Sequence, residues 1–196
     1  MRRKKTLTTT DCMSSEYISI AFATGSESKY LISMGGGPDW ILIYWQWERP
    51  KVLSTVKVST SSPVYQVSFN IHDTTGGIIA TGNNVFRWYK YQDSMLKSQN
   101  VNLNKKETTL STNFMCHAWL HDGKLVVGTE NGEVLIFDQN CDYKGYLSVG
   151  VDRFSIECIC AFSKGFLVGG DGSQAFIFEK NPEDLRSQYA KSARTL

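Results

Sequence analysis

Cys116 and His117 pair a thiol with an adjacent imidazole, the two side-chain types that a nucleophile and its general base would need. Neighbouring residues on a strand point to opposite faces, so the two groups would not meet and Cys116 reads as a core thiol. Cys158 and Cys160 share a face at i, i+2 and could begin a metal site. Zinc takes roughly four ligands, however, and no second pair follows at finger-like spacing. His121-Asp122 stands ahead of Gly123 as in a hairpin turn, where turn chemistry accounts for it. Gly123-Lys124-Leu125 lacks the upstream Gly and the Ser/Thr of a phosphate loop, and Gly169–Gly172 reads as a strand end running into a turn. The sequence therefore predicts no catalytic residue, no metal ligand, no cofactor-binding residue and no cofactor.

The elements that carry these residues are written four times. Tyr17–Trp47, Val64–Tyr91, Asn113–Phe137 and Ser155–Phe178 each run through a β-rich stretch, a tight turn, a second stretch, a Gly/Asn/Asp turn and a third stretch ending in an aromatic. Fixed-period self-similarity of this kind marks a repeat architecture. The aromatics that close the first stretch, Phe22, Phe69, Trp119 and Phe162, are 47, 50 and 43 residues apart. That is near the ~40–45 residues of a WD-type blade and too long for ankyrin, tetratricopeptide or leucine-rich repeats. The last two copies align without a gap from Leu125 to Phe137 against Phe166 to Phe178.

Asn131-Gly132 permits the positive φ angles of a type I′ hairpin turn, with Asp171-Gly172, Gly82-Asn83-Asn84 and Gly35–Asp39 in the corresponding places. In Trp40–Trp47, residues Trp40, Leu42 and Tyr44 fall on one face of a strand and Ile41, Ile43, Trp45 and Trp47 on the other. Both faces are apolar, which predicts a sheet buried on both sides, as in a propeller blade between two neighbours or, alternatively, in the core of a β-sandwich. The expected fold is all-β, a WD40-type β-propeller of about four blades with three to four antiparallel strands each, open rather than closed.

The expected organisation is a basic and polar N-terminal segment over 1–16, blades over 17–59, 64–103, 113–149 and 155–180, and a polar tail or short helix over 181–196. Asn181-Pro-Glu-Asp184 supplies the N-cap, first-position Pro and acidic first turn for that helix. Trp47-Glu48, Phe137-Asp138 and Phe178-Glu179 look like relaxed Trp-Asp dipeptides, while Tyr91-Gln92 departs from the pattern and the Gly-His pair is missing from all four copies. The buried Asp–His–Ser/Thr–Trp network of regular WD repeats is accordingly expected to be absent.

At 41% hydrophobic content the chain can bury a substantial core. No stretch approaches ~18 uninterrupted apolar residues, and no apolar run follows the basic start at Arg2-Arg3-Lys4-Lys5. Five cysteines without framework spacing suit reduced thiols and an intracellular setting. A net charge of +2 gives no basis for nucleic acid binding, and nothing calls for a membrane or a small-molecule substrate. Lys105-Lys106 lies in a long polar connection, Asn100–Thr112, that is a plausible binding element.

Several strings carry a resemblance. Pro63-Val-Tyr-Gln-Val-Ser-Phe69 and Tyr44-Trp-Gln-Trp-Glu48, together with Tyr17–Phe22, Ser28–Leu31, Val126–Gly132 and Ala161–Phe166, resemble the amino-terminal propeller region of the cilia- and flagella-associated protein 57 family. These are WD-repeat proteins of motile cilia, and the similarity covers roughly residues 17–180. The resemblance implies a non-catalytic axonemal scaffold supporting inner dynein arm assembly or anchoring. Its partners would be axonemal proteins, among them tubulin and components of the inner dynein arm or regulatory complex, and its location the cytoplasm, cytoskeleton and cilium axoneme. Family chains are longer, with more repeats and a coiled coil, so the chain is expected to be part of a propeller. A general cytosolic WD adaptor is the alternative.

Overall fold

The structure is a computed structural model that describes residues 5–24, 28–73, 76–101, 103, 112–151, 153–183 and 188–192. These residues form four antiparallel sheets, each of four strands in chain order, with no strand exchanged between them. The chain divides into two compact units, one carrying the first two sheets and one carrying the last two. Among the described residues there is no α-helix and no helix long and apolar enough to cross a membrane.

In the first unit, sheet 1 comprises β1 (Tyr17–Phe22), β2 (Tyr30–Gly35), β3 (Ile41–Gln46) and β4 (Lys51–Lys57). Sheet 2 comprises β5 (Val64–Phe69), β6 (Ile78–Gly82), β7 (Val85–Gln92) and β8 (Met95–Gln99). The double apolar pattern of β3 is used as its alternation demands. Leu42 and Tyr44 join Ile32, Met34, Val67, Phe69, Ile78 and Ala80 in the core between the two sheets. Ile43 and Trp45 pack with Leu31 on the other face, under Leu7 and Cys12 of the N-terminal segment. Tyr44 stacks on Tyr91 with centroids 4.6 Å apart, tying sheet 1 to sheet 2.

In the second unit, sheet 3 is β9 (Phe114–Trp119), β10 (Leu125–Thr129), β11 (Glu133–Phe137) and β12 (Tyr143–Ser148). Sheet 4 is β13 (Ile156–Phe162), β14 (Gly165–Gly170), β15 (Ala175–Lys180) and β16 (Tyr189–Lys191). Val126, Val134 and Ile136 of sheet 3 meet Ile156, Phe166, Val168 and Phe178 of sheet 4 in one core. The approach is tight at Gly128, where a β-carbon would lie 2.5 Å from Ile156 Cγ2. Gly128→Ala is therefore expected to push the two sheets apart and cost about 1–3 kcal/mol, read as a lowered denaturant midpoint at unchanged slope.

Three details differ from the sequence reading. Of the Asn131-Gly132 pair only Gly132 takes a positive φ, +74°. The Gly132 amide donates to Thr129 O at 3.3 Å, so the connection is a three-residue loop with its left-handed residue last, not a type I′ turn. In sheet 4, Ala161 faces Phe166 across the strands as Trp119 faces Leu125 in sheet 3, so the fourth-copy counterpart of Trp119 is Ala161, one place before Phe162.

The third difference concerns the segment read as a polar tail or helix over 181–196, part of which lies outside the described residues. Asn181 Oδ1 does accept the Glu183 amide at 3.1 Å, but it closes a turn. Tyr189–Lys191 then pairs with Phe178–Lys180 as the fourth strand of the sheet. Burial of Tyr189, whose ring packs edge-on to Phe166 at 5.4 Å, gives the return strand an apolar reward that a polar helix would lack.

Candidate interaction surface

Cys116 and His117 sit side by side on β9, both buried. Cys116 points into the core between sheets 3 and 4, with Sγ 3.4 Å from Ile156 O. Burial pushes its thiol up to about 12, the nearby Cys158 and Glu157 adding to the rise against a hydrogen bond from the Gly128 backbone. Burial holds the His117 imidazole down, at about 3. A thiol so far above neutrality is the reverse of an activated nucleophile. Cys158 and Cys160 are exposed on β13, and no group of three or more His, Cys, Asp or Glu side chains among the described residues could hold a metal ion. His121 to Gly123 form the β9–β10 turn, closed by the Gly123 amide on Leu120 O at 3.0 Å. Gly169 and Gly170 end β14, and a short 3₁₀ turn follows at Asp171–Ser173. Most of the Asn100–Thr112 connection, with Lys105 and Lys106, and residues 1–4 lie outside the described residues.

Two polar clusters bear on how the sheets are held. At the β9–β10 turn, Tyr189 Oη donates to Asp122 Oδ2 at 2.7 Å, with Lys124 Nζ at 3.5 Å and Lys180 Nζ at 3.8 Å from the same oxygen. Burial pulls the Asp122 carboxyl up, but the Tyr189 hydrogen bond and the two lysines outweigh it and leave the group below the ordinary range. This cluster clips the last strand of sheet 4 to the first hairpin of sheet 3. Tyr189→Phe is expected to cost about 1 kcal/mol in urea unfolding, since it removes one hydrogen bond to a partly buried charge and little packing.

The second place is the face of sheet 1 turned away from sheet 2. Trp45 Nε1 donates to Ser33 Oγ at 2.8 Å, and the Asp39 carboxylate accepts the Met13 amide at 2.6 Å. A tryptophan–serine bond and a buried aspartate on an N-terminal donor are two pieces of the network expected to be absent, with a backbone amide on the aspartate and no histidine in either bond. The N-terminal segment crosses this face: Lys5 Nζ donates to Glu48 O and lies 5.7 Å from the centroid of the Trp47 ring. Leu7, Tyr17, Ile20, Leu31, Ser33 and Trp45 line an open apolar pocket of about 130 Å³. Beside it Tyr17, Ile20 and Phe22 are open to solvent. Composition gave no signal for this patch, because β1 reads like any other inner strand.

No family model matches the sequence. Cilia- and flagella-associated protein 57 A of Tetrahymena thermophila is 32% identical over 195 residues, which covers 95% of this chain and 15% of that protein. Cilia- and flagella-associated protein 57 of Mus musculus is 33% identical over 138 residues, 70% of this chain and 10% of that one. Echinoderm microtubule-associated protein-like 1 of Rattus norvegicus is 24% identical over 162 residues, 83% of this chain and 19% of its own length. Among solved structures, the β-propeller domain of Cps50 (Swd1) from Myceliophteria thermophila superposes with a TM-score of 0.69 at 14% identity, over 89% of this chain and 57% of that one. That likeness establishes the propeller fold alone. With its four WD-type sheets and a match along nearly its whole length, the chain is a β-propeller segment and a relative of cilia- and flagella-associated protein 57.

Proposed function

We propose that the chain acts as a non-catalytic WD-repeat scaffold of the motile-cilium axoneme, supporting inner dynein arm assembly or anchoring and so ciliary motility. The observation that carries this reading is the 32% identity sustained over 195 residues with a protein named for cilia and flagella. The microtubule-associated relative points the same way. The physical layout agrees with it. Side chains of the described strands are spent on sheet-to-sheet packing, and what remains for a partner is turns, edges and one apolar face. The partners in this reading are proteins: axonemal subunits, tubulin, or components of the inner dynein arm or regulatory complex. Nucleic acid, membrane, cofactor and small-molecule substrate have no part in it.

The test is to express the tagged chain in a ciliated cell and fractionate detergent-extracted cilia. Retention with the axonemes, released by high salt, is expected. Recovery in the cytosol alone would overturn the axonemal reading in favour of a general adaptor.

A further inference from the structure

A threonine hydroxyl, that of Thr6, follows four consecutive cations, Arg2-Arg3-Lys4-Lys5, and precedes the apolar Leu7. Protein kinases choose substrates by charge patterns of this kind, cations ahead of the hydroxyl meeting carboxylates of the enzyme. An enzyme that must reach a hydroxyl also needs it on a segment outside regular hydrogen-bonded structure. Residues 5–16 form neither helix nor strand, and Lys5 and Thr6 are exposed. Thr9 is placed differently: its Oγ1 lies 3.1 Å from Asp11 Oδ2 and accepts the Asp11 amide, so a carboxylate stands where a phosphate would be added.

The segment that carries Thr6 lies along sheet 1 and is fixed differently at its two ends. At the far end the Met13 amide donates to Asp39 Oδ2 at 2.6 Å and the Gly36 amide to Glu16 O at 3.1 Å. Cys12 Sγ sits so close to Gly35 that a β-carbon there would meet it at 2.5 Å. At the near end the attachments are side chains, Leu7 on the cluster around Trp45 and Lys5 on Glu48 O and over the Trp47 ring. Antiparallel order puts the β1–β2 and β3–β4 connections at this same end. These connections and their flanks carry Lys29, Arg49 and Lys51, all exposed, and one described acid, Glu48.

We propose that Thr6 is a phosphorylation site for a Ser/Thr kinase that recognises basic residues, and that the phosphate docks the segment on the Arg49–Lys51 turn. In the transfer Thr6 Oγ forms a bond to the γ-phosphorus of a nucleoside triphosphate and the bond from that phosphorus to the β–γ bridging oxygen breaks. The nucleoside diphosphate leaves, and the hydroxyl proton passes to the kinase's carboxylate base. A phosphothreonine brings a charge of about −1.5 to −2 and three acceptor oxygens, and opposite arginine or lysine it makes new charge-assisted bonds that order the segment bearing it. Lys5 already holds the chain next to Thr6 on this turn. Glu48 opposes the phosphate there, against Lys5, Arg49 and Lys51. The addition therefore strengthens the end that now rests on side chains alone.

The experiment incubates the full chain with ATP and the catalytic subunit of cyclic-AMP-dependent protein kinase. One phosphoryl group mapped to Thr6 by peptide mass spectrometry is expected, with none there in Thr6→Val. Arg3→Ala should slow the transfer by about tenfold or more, the effect of removing one charge-assisted bond to the enzyme. Docking is read from Cys12, whose alkylation by iodoacetamide, followed on its own peptide, should be about three- to tenfold slower in the phosphorylated chain. Arg49→Glu/Lys51→Glu, at two exposed positions, should abolish that slowing and leave the phosphorylation intact. No phosphate on Thr6, a Cys12 rate that phosphorylation leaves unchanged or raises, or a slowing that survives the double charge reversal would overturn the proposal, and each would leave the ciliary reading untouched.

Discussion

Trp45→Ala is expected to remove about 3–5 kcal/mol of folding free energy. Trp45 lies at the centre of the apolar face of sheet 1 beside the N-terminal segment, fully buried against Leu31 and Ile43 with Leu7, Cys12 and Trp47 around it. Truncation leaves a cavity that β-sheet hydrogen bonding on both sides keeps from collapsing, since Trp45 is paired to Leu31 across β2 and to Val52 across β4. It also strips Ser33 Oγ of the indole donor that reaches it at 2.8 Å. A domain has roughly 5–15 kcal/mol in total, so this one change takes a large share. Ser33→Ala separates the two contributions: it keeps the packing but orphans the indole N–H, and about 1–3 kcal/mol is expected. Urea unfolding followed by tryptophan fluorescence reads both. A Trp45→Ala loss below about 1 kcal/mol would mean that this face is not packed as described.

Acid should destabilise the chain well before its carboxylates titrate, and His117 is the reason. Its imidazole is held at about 3 by burial on β9, against ~6.5 in an unfolded chain. The folded state keeps the ring neutral where the unfolded state takes up a proton, so stability rises with pH between 3 and 6.5 and is fully present above that window. The slope over that window is on the order of 1 kcal/mol per pH unit, so a loss of about 2–3 kcal/mol is expected by pH 4.5. Asp122 and Asp138, both held below the ordinary carboxylate range, add their loss only as pH falls below about 4. Chemical denaturation from pH 7.5 down to 4.5 should show the decline, and His117→Leu should flatten it whatever that variant does to stability at neutral pH. An unchanged slope in the variant would assign the acid sensitivity to other groups.

Much of the fold is legible because period 2 and the repeat length are both written in side-chain types. The split of Leu42 and Tyr44 from Ile43 and Trp45 into two cores follows directly from alternation on a strand with no polar face. What escaped the sequence was decided by contacts remote in the chain. Asn181-Pro-Glu-Asp184 is a sound helix start, yet the buried Tyr189 ring on Phe166 and its hydroxyl on Asp122 draw the chain back as β16. Phe162 imitates the closing aromatics of the other copies, but the β13–β14 turn is one residue shorter than its sheet 3 counterpart, and this shifts Ala161 into the equivalent place. The open patch at Tyr17, Ile20 and Phe22 had no signature at all. An inner strand carries the same residues whether or not its face is covered, so only the burial of Val67 and Phe69 in the matching places of β5 brings out the exposure of Ile20 and Phe22.

The central claim is that each of four consecutive segments folds its strands into a sheet of its own. Nuclear Overhauser contacts between backbone α-protons across antiparallel strands test it most directly, because facing α-carbons come within about 4.5–5.5 Å. Contacts are expected between β2 and β3, β6 and β7, β10 and β11, and β14 and β15, with Lys180 to Tyr189 closing the fourth sheet. Backbone contacts joining strands of different segments into one sheet would contradict it.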